Sequence, residues 1–332
     1  MKDITAVGID TAKTTFYLTG FSNTGHVVGR KKLSRAGLKK WLVKQAPLTV
    51  YMEACGGSHE WGRTLKEMGH TVKLIAPHFV TPFRQGDKND WNDALAIGIA
   101  GAQPTMRFVA VKSKDQQTIQ SLHRVRSRLQ RDRVAVANQL RGLLMEFGEV
   151  LPKSIPTLRK RVPEILESDQ FTGVMGELLQ GLLDELKARD EQVKQYTKWI
   201  EQLAKADPVA RDLMELRGFG PITASALSAE VADARVFRNG RQLSAYLGLV
   251  PRQFSTGGKT RLGSITKRGD RYLRQLLVHG ARSVIRHLGD KQDRTSCWIR
   301  ALIARRGMNK AVVALANKQA RWAWAVMAQA QA

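Results

Sequence analysis

The chain has 332 residues, 43% of them apolar, with 54 Lys and Arg against 29 Asp and Glu for a net charge of +25. That length suffices for one large domain or two to three ordinary ones with real cores. The charge favours a polyanionic partner, nucleic acid ahead of an anionic membrane, because the sequence holds no long basic amphipathic anchor. No apolar run approaches the ~20 residues that span a bilayer. Met1-Lys2-Asp3-Ile4 runs straight into a strand-like segment without a signal-peptide core. Cys55 and Cys297 give neither a zinc spacing nor a disulfide framework, which points to a reducing, cytoplasmic setting.

In chain order, residues 4–9 read as a buried strand and Thr14 to Phe21 as an alternating one. A Ser22-Asn23-Thr24-Gly25 turn leads to a third strand, His26 to Leu33. Ser34 is placed to cap a helix through about Lys44, with Leu38, Trp41, Leu42 and Val43 as its apolar stripe. A strand from Leu48 to Ala54 carries Glu53 near its end. A helix then runs to Met68 and stops at Gly69, and a strand spans Thr71 to Ala76. A basic loop, Arg84 to Lys88, precedes a helix from about Asn89 to Gly101. Three strands, helix, strand, helix, strand, helix is the order of the ribonuclease H-like fold, a mixed sheet flanked by helices.

Past about Lys114 the periodicity becomes helical. Ser121 to Phe147 is Arg-rich and free of proline; Pro152, Pro156 and Pro163 mark an irregular joint; a second long helix spans about Gln170 to Lys205. Leu179, Leu182, Leu186, Val193, Tyr196, Ile200 and Leu203 keep a spacing near 3-4 that falters around Ala188-Arg189-Asp190. An antiparallel hairpin and a dimeric coiled coil fit that pattern equally. The expected organisation is an α/β domain over 1–112, a coiled-coil linker over 113–206 and a mainly α domain over 207–332. In the last, Leu216 to Ala224 reads as a helix-hairpin-helix-like element. Pro251 to Gly269 reads as a polar, glycine-rich loop, and Trp298, Trp322 and Trp324 as packing residues. From Pro251 onward 17 Lys and Arg face three acids, as suits a surface lying on phosphates.

Four carboxylates carry the candidate chemistry: Asp10 after the first strand, Glu53 on the fourth, and Asp90 and Asp93 three apart on one helix face. Phosphodiester cleavage needs neutralised phosphoryl oxygens and an activated nucleophile. Divalent ions supply both when several hard carboxylates from different elements hold them. Mg²⁺ (or Mn²⁺) suits such ligands. Each acid alone is unremarkable as a turn, cap or strand-end residue; the set in this order is what points to a metal site. Lys13 and Lys88 flank the acids as possible phosphate contacts. Gly218, Gly220 and Thr223 form a turn of the kind whose backbone N–H groups bind phosphate. Ser255-Thr256-Gly257-Gly258-Lys259, with Arg261, Lys267 and Arg271 nearby, reads on its residues as a flexible phosphate-binding loop. A hydroxyl nucleophile is the second reading.

Gly8-Ile9-Asp10-Thr11-Ala12-Lys13, Tyr51-Met52-Glu53-Ala54 and Lys88-Asn89-Asp90 with Asp93-Ala94 resemble the DEDD, RuvC-like domain of the insertion-sequence-110 transposases. Leu216–Ala224, Ala245–Pro251 and Ile265–Arg274 resemble that family's C-terminal domain. Ser255–Lys259 with Arg261-Leu262-Gly263 is similar to the 1111 subgroup. The resemblance covers nearly the whole chain. It implies a site-specific DNA recombinase guided by a structured bridge or seeker RNA that pairs with donor and target DNA, in a bacterial, nucleoid-associated setting. It places the acid tetrad on Asp10, Glu53, Asp90 and Asp93. It places a nucleophilic serine at Ser255, with Thr256 and Ser264 as neighbouring hydroxyls, and implies a dimer assembling to a tetramer with a composite site. The alternative expectation is a RuvC-like, structure-specific endonuclease that cuts with metal-activated water. A third is a binding protein without catalysis, whose acids are structural.

Overall fold

The computed structural model describes residues 3–331, so Met1-Lys2 and the final Ala332 of the 207–332 segment lie outside the described residues. Contacts divide the chain into two compact units. The first holds the chain up to Lys114 with Val231–Arg238; the second holds Asp115–Glu230 with Asn239–Ala330. Among the described residues, no helix is long and apolar enough to cross a membrane.

The first unit is a mixed sheet. Strands β1 (Ala6–Thr11), β2 (Thr15–Phe21), β3 (Val27–Ser34), β4 (Thr49–Glu53), β5 (Thr71–Ile75) and β6 (Phe108–Val109) lie in the order β3-β2-β1-β4-β5-β6. β1 and β2, and β2 and β3, pair antiparallel; β4 runs parallel to both β1 and β5. The two parallel crossovers pass through helices α1 (Arg35–Val43) and α2 (Ser58–Glu67). This is ribonuclease H-like topology, as the element order led one to expect. Most strand ends shift by a residue or two. β1 continues through Asp10 to Thr11, and β6 adds a two-residue antiparallel edge on β5.

Alternation along the strands separates two faces. Val7, Ile9, Phe16, Leu18, Val50, Met52 and Leu74 bury one face against Leu38 and Leu42 of α1 and Trp61 and Leu65 of α2. Ser34 starts α1 by accepting the Gly37 N–H at 3.1 Å. Pro77 ends β5 and opens a short turn of helix, α3 (Pro77–Val80). The opposite face receives α4 (Asp90–Gly101), which buries Ala96, Ile97 and Ala100 with Tyr51 and Ile75.

The second unit is mainly helical. It opens with α5 (Lys114–Glu146), α6 (Ile155–Leu166) and α7 (Gly173–Ala206). The proline joint expected between the long helices is thus corrected to a third helix. Pro156 sits in its first turn, where no amide bond is lost, and Pro163 is tolerated inside it. Leu140 and Leu144 of α5, Leu158 and Val162 of α6, and Leu179, Leu183 and Leu186 of α7 share one core. Arg126 reaches Thr197 at 2.7 Å, Arg133 pairs with Asp190, and, just beyond the helix ends, Phe147 meets Phe171 edge-on, so α5 and α7 run antiparallel within one chain.

Asp190 explains the faltering 3-4 pattern. It stands 5% exposed on the α7 seam, paired to Arg133 of α5 and, at 2.8 Å, to Arg159 of α6. Removing one member of a buried ion pair strands the other charge. Because Arg133 and Arg159 keep 29% and 35% of their side chains exposed and can hydrate, Asp190→Ala is expected to cost about 1.5–3 kcal/mol, read as a lowered urea midpoint. A midpoint unchanged from wild type would remove Asp190 as the tie among the three helices.

Short helices α8 (Pro208–Met214), α9 (Pro221–Val231) and α10 (Gly240–Tyr246) follow, then strands β7 (Pro251–Thr256) and β8 (Lys259–Ile265). Helices α11 (Arg271–Arg286), α12 (Arg294–Arg306) and α13 (Met308–Ala330) close the chain. The glycine-rich loop expected at Pro251–Gly269 is corrected to an antiparallel ribbon. Gly257 and Gly258, at φ +54° and +76°, supply the two left-handed residues that a tight two-residue hairpin requires. Lys318 holds its ammonium over the half-buried Trp298 ring at 4.4 Å and the Trp322 ring at 5.3 Å.

Candidate active site

Asp10 and Glu53 reach the same sheet edge because β1 and β4 are parallel neighbours. Ile9 pairs with Met52, so Asp10 and Glu53 follow one rung further on and share a face. It is the face that α4 covers. Gly8 stands two residues before Asp10 on that face. A Cβ there would lie 2.4 Å from the Ala94 carbonyl oxygen and 2.6 Å from the Gly98 nitrogen. The missing side chain lets the α4 backbone rest on β1. Trp91 stacks edge-on against Tyr17, the residue paired with Asp10, and fixes the start of the helix. Asn89 caps α4 by accepting the Asn92 N–H at 2.9 Å, which sets Asp90 and Asp93 in its first turn.

The four acids feel one another. The Asp10 carboxyl is pushed from 3.8 up to about 6, first by burial and then by the charges of Asp93, Asp90 and Glu53. Burial also raises Glu53, as does Asp93, while Lys88 and Arg84 pull it back. Arg84 Nη1 donates to Asp93 Oδ1 at 3.4 Å. Cys55, joined to Thr11 by a 3.0 Å hydrogen bond, has its thiol raised by burial and so is kept uncharged. Asp90, Lys13 and Lys88 are exposed.

Hard carboxylate oxygens under mutual repulsion are the donor set that Mg²⁺ or Mn²⁺ takes. Among the described residues, however, no three acids, histidines or cysteines stand close enough to enclose an ion. The cluster has the donor chemistry and not a closed ligand geometry. Sequence reasoning passed over Arg84 as part of a connecting loop, and missed Gly8 as the seat of α4. A glycine inside a strand was the available signal for a close backbone approach.

The remaining candidate residues lie in the second unit. Gly218, at φ +90°, packs where a Cβ would meet Gln319 Nε2 at 2.4 Å, and Gln319 donates to the Arg217 carbonyl at 2.7 Å. Thr223 is buried, so Gly220 is the exposed position of that turn. Ser255, Thr256, Lys259, Arg261 and Ser264 stand exposed on the β7–β8 ribbon; Lys267 and Arg271 are exposed beyond it.

Acids at the ends of two adjacent central strands, faced by acids in the first turn of a crossing helix, define a ribonuclease H-like domain of the DEDD kind. Residues 7–148 match the DEDD transposase model of IS110 type, and residues 210–296 match "Transposase IS116/IS110/IS902 family". A "Probable family 20 transposase" of Pseudomonas aeruginosa is 46% identical over 98% of both chains. The "Transposase for insertion sequence element IS1111A" of Coxiella burnetii is 42% identical over 98% of this chain and 90% of that one. The IS1328 transposase of Yersinia enterocolitica is 38% identical over 99% and 98%. The chain belongs to the IS110/IS1111 family of insertion-sequence transposases and is an enzyme of that class.

This corrects one expectation, that the strand is cut by Ser255 as nucleophile. The DEDD match puts the chemistry on carboxylates, which implies metal-dependent hydrolysis. Ser255 Oγ accepts a 2.8 Å hydrogen bond from Gln253 Nε2 on an exposed strand, and among the described residues no carboxylate or imidazole is bonded to it as a base. The endonuclease alternative fits better.

Proposed function

We propose that this transposase cuts DNA phosphodiesters by hydrolysis at the carboxylate edge of its first unit, in the manner of a RuvC-like structure-specific endonuclease. The observation that carries the reading is Asp10, partly buried beside three further acids and pushed up to about 6 by burial and by their charges. A cluster that opposes its own ionisation is unfavourable as a purely structural device. Asp10, Glu53, Asp90 and Asp93 would hold Mg²⁺ or Mn²⁺. Such an ion would supply charge neutralisation at the phosphoryl oxygens and activation of the attacking water. Asp10 and Glu53 are fixed by strand pairing, Asp93 is oriented by Arg84, and Lys13 and Lys88 meet the DNA backbone beside the cut.

The second unit supplies further phosphate contacts from Gly220, Lys259, Arg261, Lys267 and Arg271, whereas Gly218 and the buried Thr223 shape the turn that presents Gly220. The segments 1–112, 113–206 and 207–332 serve as catalytic, helical dimerising and DNA-holding parts. Donor and target DNA, a structured RNA of the element, and a dimer assembling to a tetramer are the partners this reading carries, in a bacterial cytoplasm near the nucleoid. The resemblance in sequence and the net charge of +25 support them.

Two measurements test the reading. Cutting of branched and linear DNA should require a divalent ion and stop with a chelator. Binding should fall steeply with salt, by about 0.9 in log K per log unit of salt for each phosphate contacted. Cutting that persists in chelator, or a flat salt slope, would overturn it.

A further inference from the structure

The β7–β8 ribbon is exposed from Pro251 to Ser264, and nothing in the metal-site chemistry uses it. Its root is firmly tied. Thr266 N–H donates to the Val250 carbonyl at 2.8 Å and Lys267 N–H to that of Gly248 at 3.1 Å. Arg274 Nη1 donates to the carbonyls of Leu247 and Arg268 at 3.1 and 3.0 Å. The ribbon is thus a braced projection with a tight glycine turn at its tip.

Its two faces differ. Phe254 pairs with Arg261 and Thr256 with Lys259, while Gln253 pairs with Leu262 and Ser255 with Thr260. A Cβ on Gly263 would lie 3.7 Å from the Phe254 ring and 3.8 Å from Arg252 Cβ, which puts Arg252 on the Phe254 face. One face therefore carries Arg252, Phe254, Lys259 and Arg261; the other is uncharged. Phe254 is 65% exposed, a large apolar ring with no core to join.

Cations alone would serve for phosphate binding. An aromatic ring set among them adds a π-face, and base–aromatic stacking with flanking cations is how unpaired strands are held. Paired bases inside a duplex are already stacked and offer no free face. We propose that this face of the ribbon grips unpaired DNA, with Phe254 stacked on an exposed base and Arg252, Lys259 and Arg261 on the phosphates around it. The proposal rests on the reading of the chain as an enzyme that cuts DNA, and adds which DNA the second unit holds: strands that have been opened.

The test uses the full chain and a DNA duplex with a short central unpaired stretch containing 2-aminopurine, beside its fully paired counterpart and the same bubble in RNA. Wild type should prefer the DNA bubble and change the 2-aminopurine fluorescence on binding. Phe254→Ala should lose that change and bind the bubble about tenfold more weakly, with its salt slope kept. Phe254→Trp should restore both. Lys259→Ala with Arg261→Ala should lower the slope by about 1.4, at about 0.7 per single-strand phosphate. Phe254→Ala indistinguishable from wild type, or tighter binding to paired DNA or to RNA, overturns the ribbon proposal and leaves the carboxylate reading standing. Metal-independent cutting sinks the carboxylate reading and leaves the ribbon result readable by binding alone.

Discussion

Asp10→Asn is expected to abolish cutting and, in metal-free protein, to raise stability. The activity loss follows from removing the central ligand. Losing about 4 kcal/mol of charge stabilisation lowers the rate roughly 10³-fold, at about 1.4 kcal/mol per factor of ten. The stability gain has the opposite sign because the folded chain disfavours the Asp10 charge. With its carboxyl raised from 3.8 to about 6, the native state binds the proton more tightly than the unfolded one. The benefit of the protonated form is complete below 3.8 and is lost as pH rises through 6. Above that, the buried charge would cost about 3 kcal/mol if fully dry, and about 1–2 kcal/mol after solvent screening of a partly exposed group. Thermal or urea unfolding at pH 7 in chelator should show Asp10→Asn more stable by that amount, with the gap closing near pH 4. Adding Mg²⁺ should stabilise wild type and not the variant, since a ligand stabilises only the state that binds it. A variant less stable than wild type without metal would mean that the Asp10 charge is a structural asset.

Gly8→Ala should be nearly as damaging to cutting while leaving every acid in place. Its Cβ would lie 2.4 Å from the Ala94 carbonyl oxygen and 2.6 Å from the Gly98 nitrogen, both backbone atoms that no rotamer change can move. Either α4 lifts from β1 or the strand distorts. Overpacking of this kind costs about 1–3 kcal/mol, and a misplacement of about 1 Å near reacting groups costs roughly 10²-fold in rate. Gly142→Ala is the control. That glycine sits inside α5 with nothing within 4 Å of an added Cβ, so the substitution should stabilise the helix by about 0.5–1 kcal/mol. If Gly8→Ala cut DNA at the wild-type rate, close seating of α4 would not be what assembles the acids.

Much of the first unit was legible because its signals are local and agree. β-branched runs, a Ser34 cap, glycine stops and the Asn89 start each mark an element. The order of elements then limits the sheet to a few topologies, which carries Asp10 and Glu53 to one edge. What stayed hidden depends on contacts distant in sequence. The two-residue β6 exists only because β5 offers it an edge. Arg84 gains its meaning from Asp93 across a turn. α6 was obscured because Pro156 and Pro163 look like breakers until one sits in a first turn and the other is borne by packing. Asp190 looked like a flaw in a hydrophobic repeat, yet it is the acid that joins Arg133 and Arg159. The β7–β8 ribbon escaped notice because its strands, exposed on both faces, lack the apolar alternation by which strands are read. The serine expectation came from resemblance, and the exposed, baseless setting of Ser255 gave it no support.

The central claim is that the acids cut DNA by hydrolysis, and product chemistry tests it most directly. End-labelled branched DNA is incubated with the full-length protein, Mg²⁺ and the element's RNA, then resolved under denaturing conditions with and without protease. Hydrolysis predicts free fragments with phosphate and hydroxyl ends, unaffected by protease, absent with Asp10→Asn and retained with Ser255→Ala. Label held on the protein until protease releases it, and lost with Ser255→Ala, would contradict the account.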